Sequence, residues 1–129
     1  MKPARLRHIA ITVPDPEKAA LFYMKAFGLQ RVGQTDWENA KGVYLSDGVI
    51  NLALLHYKTE AAAGHRGRDF VGVHHFGFEV ENVAGLRDAC KELNAATDID
   101  KRPPNREAEY RVHDPDGNPI DLSQHGWPI

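Results

Sequence analysis

The chain has a single cysteine, Cys90, among 129 residues. That excludes an internal disulfide and fits a reducing compartment. No apolar run approaches the roughly 20 residues that a membrane-spanning helix needs. The opening Met1-Lys2-Pro3-Ala4-Arg5 runs straight into a strand pattern, without the apolar stretch of a secretory signal. A cytoplasmic location is therefore expected. An excess of one charge is also lacking, the net being −2 with neutral histidines. Nothing in that balance draws the chain to nucleic acid or to an anionic membrane.

Hydrophobic residues make up 42% and charged residues 26%, ordinary for a globular chain that buries one core. Histidine is the exception. There are seven, and His8, His74 and His75 stand at the starts of strand patterns. His8-Ile9-Ala10-Ile11-Thr12-Val13 and His75-Phe76-Gly77-Phe78-Glu79-Val80 share one design, a histidine opening an alternating strand, with a helix start after it. The chain reads as two copies of one unit.

In the first copy, Asp15-Pro16-Glu17 starts a helix, with Asp15 as cap and Pro16 at the first helical position. Ala19, Phe22, Tyr23 and Ala26 form its apolar stripe, and Gly28 ends it. Strands follow over 29–33, 41–46 and 49–56, the last two joined by an Asp47-Gly48 turn. The second copy repeats the order. It has a strand over 73–80, a helix capped by Asn82, a short strand near Ile99, a strand over 108–113, the turn Asp114-Pro115-Asp116-Gly117, and a strand over 120–123. Val83, Leu86, Ala89, Cys90 and Leu93 give that helix its buried stripe, which makes Cys90 a packing residue. The expected fold is α+β: two βαβββ modules, 5–57 and 72–124, forming a curled mixed sheet around a cleft. A small-residue linker over 58–71 joins them.

Strand parity assigns the faces. Ile9, Ile11 and Val13 should pack on the first helix, and Phe76, Phe78 and Val80 on the second. That turns His8, Ala10 and Thr12, and His75, Gly77 and Glu79, to the other face. In the last strand Asp121 and Ser123 face the same way. Two imidazoles and a carboxylate from three strands suit a divalent metal with open positions for substrate. Glu79 is the candidate catalytic acid or base, or a hydrogen-bonding partner of a ligand. His74 points opposite His75 and is expected to be structural. Trp37, Tyr44, Tyr110 and His113 could line a pocket. Lys101, Arg102, Arg106 and Arg111 could form an anion site. Trp127 could pack on a neighbour, a second chain being one candidate.

These stretches, together with Phe22-Tyr23 through Phe27-Gly28-Leu29 and Asp114 to Leu122, resemble the vicinal oxygen chelate superfamily. That superfamily includes glyoxalase I, methylmalonyl-CoA epimerase, thiol transferases, extradiol dioxygenases and bleomycin-binding proteins. The resemblance implies a homodimer. It also implies a metal-dependent enzyme of the glyoxalase/dioxygenase type acting on a small oxygenated substrate, with Fe, Mn, Ni or Zn as the metal. His8 and His75 match the family's histidine ligands. Asp121 stands where the family usually has glutamate. On the fourth strand glyoxalase I and the epimerase carry a further Glu or Gln ligand. Here the cleft parity gives Asn51 and Ala53, neither a carboxylate, and His56 has the other parity. That argues against the standard glyoxalase or epimerase mechanism and toward the transferases and dioxygenases. The alternative is a non-catalytic, bleomycin-resistance-like protein that sequesters a small molecule.

Overall fold

The structure, a computed structural model, describes residues 2–93, 95 and 107–129. The described elements are β1 (Arg5–Thr12), α1 (Pro16–Phe27), β2 (Gln30–Asp36), β3 (Ala40–Ser46), β4 (Asn51–Tyr57), α2 (Glu60–Ala63), β5 (Gly72–Glu79), α3 (Val83–Glu92), β6 (Tyr110–His113) and β7 (Pro119–Ser123). The mix is α+β, as expected. The strand expected near Ile99 lies outside the described residues, as do Lys101, Arg102 and Arg106. No helix among the described residues is long and apolar enough to cross a membrane.

Two compact units form. One holds residues 1–7 and 75–127, the other 8–74 and 128–129. β1 and β5 are each divided between them, at Arg7/His8 and at His74/His75.

In the 8–74 unit the strand order is β2-β3-β4-β1. β1 runs parallel to β4, with His8 beside Asn51 and Ala10 beside Ala53. α1 forms where the sequence signals it. Asp15 accepts a hydrogen bond from the Lys18 amide at 3.2 Å, and Gly28 closes the helix at φ 70°, a conformation costly for a residue with Cβ. The face toward α1 buries Ala20, Val43, Leu45 and Leu54, with Ile11, Val13 and Tyr23 packed around them. Each fully buried leucine or valine contributes roughly 1.5–3 kcal/mol. The opposite face carries a second cluster of Ala10, Ala40, Tyr44, Ala53, Leu55, Tyr57 and Ala63, against which Trp37 packs. Tyr44 is therefore a core residue.

The segment expected to be a plain linker contains the turn of α2. Thr59 caps it by accepting from the Ala62 amide at 3.1 Å, and the Glu60 carboxylate accepts from the Arg68 amide at 3.1 Å. Arg66 lies over the Phe70 ring at 4.8 Å.

In the other unit the order is β5-β7-β6. β5 runs parallel to β7, placing Gly77 beside Asp121, and β6 pairs antiparallel with β7, placing Arg111 beside Asp121. Asn82 caps α3 by accepting from the Gly85 amide at 3.0 Å. Val80, Val83, Val112 and Leu122 form the core there, with Phe78, Leu86, Cys90, Tyr110 and Ile120 around them. Cys90 is packing, as expected, and burial pushes its thiol pKa up. Tyr110 turns into this core, under the Arg87 guanidinium at 5.1 Å.

Candidate functional site

The candidate residues fall on the strand faces turned away from α1 and α3. In the 75–127 unit, His75 and Asp121 meet. His75 Nε2 lies 3.3 Å from Asp121 Oδ2, and both side chains are buried. The parallel β5–β7 pair explains the approach: Asp121 is in register with Gly77, two residues beyond His75 on the same face. The sequence reading missed the role of Arg111. It is no loop cation but a buried β6 residue across from Asp121. Its Nε donates to Oδ1 at 2.6 Å and its Nη2 to Oδ2 at 3.3 Å.

Burial alone would raise the pKa of Asp121. The charges of His75 and Arg111, and the hydrogen bonds they make, outweigh it and hold the carboxyl well below its ordinary range. Asp121 is thus an anion at any physiological pH, the form in which a carboxylate binds a metal.

The donor chemistry fits a divalent ion. For ligand bonds of about 2.1 Å, a right angle at the metal separates two donors by about 3.0 Å, and a tetrahedral angle by about 3.4 Å. The separation of 3.3 Å between His75 Nε2 and Asp121 Oδ2 lies between the two. Arg111 leaves lone pairs on both oxygens, because a carboxylate offers about four acceptor sites.

Glu79 shares the His75 face but is placed apart from it. It forms an ion pair with Arg7 at 4.0 Å, and its carboxylate lies against the backbone of Gly126. Between His75 and Glu79 on the strand is Gly77, and over Gly77 lies the indole of Trp127. A Cβ at Gly77 would come within 2.6 Å of Trp127 Cη2, so only glycine lets the ring settle there. Trp127 thus packs over Gly77 of its own chain. The turn that brings it there is fixed by Ser123, whose Oγ accepts from the Gly126 amide at 2.9 Å. Glu109 adds to it, accepting from the Gln124 amide at 2.8 Å and holding His125 Nδ1 at 2.7 Å.

In the 8–74 unit, His8 is buried and its Nδ1 lies 2.8 Å from Asn51 Oδ1. The Asn51 Nδ2 donates to the Pro128 carbonyl at 2.8 Å. Asn51 is fully buried. His56, of the other parity, turns Nδ1 to the Val13 carbonyl at 3.3 Å. His74 is structural, as expected: its Nε2 donates to the Ala63 carbonyl at 2.7 Å, and its ring lies 4.9 Å from that of Tyr57.

A family model, the Glyoxalase/Bleomycin resistance protein/Dioxygenase superfamily, matches residues 5–122. The chain is 36% identical over 97 residues to an ethylmalonyl-CoA/methylmalonyl-CoA epimerase of Cereibacter sphaeroides, covering 70% of this chain and 72% of that protein. It is 34% identical over 94 residues to the human mitochondrial methylmalonyl-CoA epimerase, covering 68% of this chain and 53% of that protein. Among solved structures, a hypothetical protein of Bacillus halodurans shares the fold with a TM-score of 0.80 at 23% identity, covering 95% and 94% of the two chains. A Streptomyces coelicolor methylmalonyl-CoA epimerase bound to 2-nitronate-propionyl-CoA does so with a TM-score of 0.77 at 21% identity, covering 94% and 96%. These curated relatives carry the names of epimerases, whereas the sequence reading leaned toward transferases and dioxygenases. With its model matched over nearly the whole chain, the protein belongs to the Glyoxalase/Bleomycin resistance protein/Dioxygenase superfamily.

Proposed function

We propose that this chain is a metal-dependent enzyme that inverts configuration at the carbon next to the carbonyl of a malonyl-type CoA thioester. His8, His75 and Asp121 would hold one divalent ion. The buried His75–Asp121 pair carries this reading, with its donor atoms spaced as two neighbouring ligands of one ion. His8, buried on β1 with the same strand parity, is the proposed third ligand. The substrate class is that of the curated relatives' names.

A bound divalent ion would act as a Lewis acid, taking two substrate oxygens and lowering the cost of negative charge on one of them. The chain's own residues prepare that role. The charges of His75 and Arg111 keep Asp121 ionised, and Asn51 engages His8. Trp127 covers the β5 face beyond His75 and excludes water from Gly77. We assign Glu79 no step, because it is paired with Arg7 and lies past the indole.

The test has two parts. Metal content is measured on tag-free protein and on the His8→Ala, His75→Ala and Asp121→Ala variants. Deuterium uptake at the α-carbon of a malonyl-type CoA thioester is then followed by NMR in heavy water. Near-stoichiometric metal, lost in all three variants, with α-deuteration by the wild type, is expected. Absence of metal after incubation with iron, manganese, nickel and zinc would overturn the proposal and favour a small-molecule-binding protein. Metal without exchange would retain the site and reject the substrate.

A further inference from the structure

We infer that Asn51 is a positioning residue that transmits the backbone carbonyl of Pro128 to His8, and so sets which ring nitrogen of His8 carries a proton. The inference rests on the directionality of hydrogen bonds along one short chain of groups. A backbone carbonyl can only accept. The Pro128 oxygen, 2.8 Å from the Asn51 amide, must therefore face its NH2 end. The two ends of a carboxamide are nearly isosteric but opposite in hydrogen-bonding sense. With the NH2 end committed to Pro128, the end facing His8 is Oδ1, at 2.8 Å from Nδ1. An acceptor there requires a proton on Nδ1. The lone pair of a neutral His8 ring then resides on Nε2.

Burial makes this selection strong. His8 is 3% exposed and Asn51 is fully buried, so a reversed amide would set its oxygen against the carbonyl oxygen of Pro128. Water could not repair that clash. The β1–β4 register supplies the geometry, since His8 and Asn51 are direct partners on adjacent parallel strands. A backbone carbonyl 77 residues along the chain from Asn51 thereby decides the protonation pattern of His8. Asn51 sits on the strand where the sequence reading looked for a further ligand. Its amide oxygen is instead spent on the imidazole.

The test reads the tautomer directly. Long-range nitrogen–proton NMR of the imidazole rings is recorded on metal-free full-length protein, with His8 identified by the signals lost in His8→Gln. Wild type should show Nδ1 protonated. Asn51→Asp keeps an acceptor toward His8 and cannot donate to Pro128, so it should retain the Nδ1 proton while loosening the tail. The loosening is read as faster amide exchange at Trp127 and Ile129. Asn51→Leu, and a chain ending at Trp127, should both show loss of the single tautomer. An Nε2–H tautomer in the wild type, or an unchanged His8 spectrum in both Asn51→Leu and the shortened chain, would overturn the inference. A metal arm rests on the proposed function: Asn51→Leu should weaken metal affinity by about 10–100-fold, as loss of a ligand's hydrogen-bonding partner does. If the wild type binds no metal, the proposed function fails while the tautomer experiment still decides this inference.

Discussion

Replacing Arg111 by methionine removes the guanidinium from Asp121 and leaves a similar volume behind. Arg111 is 8% exposed and Asp121 is 5% exposed, so solvent screens the pair little. Two charge-assisted hydrogen bonds disappear, at 2.6 and 3.3 Å. Breaking a buried ion pair from one side costs about 3–5 kcal/mol. His75, at 3.3 Å, remains and can take up a proton, which places Arg111→Met at the lower end, about 3 kcal/mol. For a chain of this length that is a fall in Tm of about 12 °C.

The double variant Arg111→Met/Asp121→Asn removes the stranded charge and should recover most of the loss. The acid limb carries a second signature. Asp121 has a folded pKa well below its unfolded value, so its contribution to stability is present above about pH 3.9 and is lost as pH falls through the folded value. Without Arg111 the folded value rises, and less stability remains to be lost on acidification. The assay is thermal and urea unfolding of metal-free protein, followed by circular dichroism between pH 2.5 and 7. A loss under about 1 kcal/mol at pH 7, with an unchanged acid limb, would refute the view of Arg111 as the counter-ion that makes this carboxylate tolerable.

Gly77→Ala places a Cβ 2.6 Å from Trp127 Cη2 and 3.1 Å from the Asp121 carbonyl, so the indole must leave. In a Trp37→Phe background, the emission of Trp127 should shift to the red and the tail should become protease-sensitive. An unchanged spectrum would show that the ring does not rest there. Glu79→Gln should leave metal content and turnover near wild type, since its carboxylate is paired with Arg7 and lies against Gly126. A loss of about 10²–10⁴-fold would instead identify a general acid or base. Gly42→Ala brings a Cβ within 2.6 Å of the Leu54 carbonyl across the β3–β4 pair, and should cost about 1–3 kcal/mol in unfolding without altering metal uptake.

Much of the fold is legible in the sequence because the signals are local. Asp15, Gly28 and Asn82 act as caps where the chain says so, and alternation puts Ile11 and Val13 on the α1 side, Phe78 on the α3 side. The same alternation gave His75 and Asp121 a common face. Arg111 escaped because its sequence neighbours Lys101, Arg102 and Arg106 suggested a basic loop. The turn at Asp114–Gly117 holds the missing clue: an antiparallel hairpin about that turn brings Arg111 opposite Asp121. α2 was readable too, in a threonine cap ahead of Glu60 and three alanines. The positions of Trp127 and Pro128 were not. They depend on a turn held by Ser123 and Glu109 and on an amide many residues away, and no periodicity in the sequence reports such contacts.

The strand registers also say how the two copies have shared out their work. Ala10 pairs with Ala53, and Gly77 pairs with Asp121; each first partner stands two residues after its histidine. By the chain's own duplication, the counterpart of Asp121 is Ala53 rather than Asn51. Ala53 and its partner Ala10 are both completely buried, in a cluster with Tyr44 and Tyr57. Where the second copy holds an acid and its counter-ion, the first holds methyl groups under aromatic rings. A carboxylate introduced at Ala53 would meet that hydrocarbon, so restoring symmetry would take a counter-ion as well as a second acid. The duplicated halves have become a specialised pair, one a packed support for the His8 imidazole, the other the seat of the buried acid and its counter-ion.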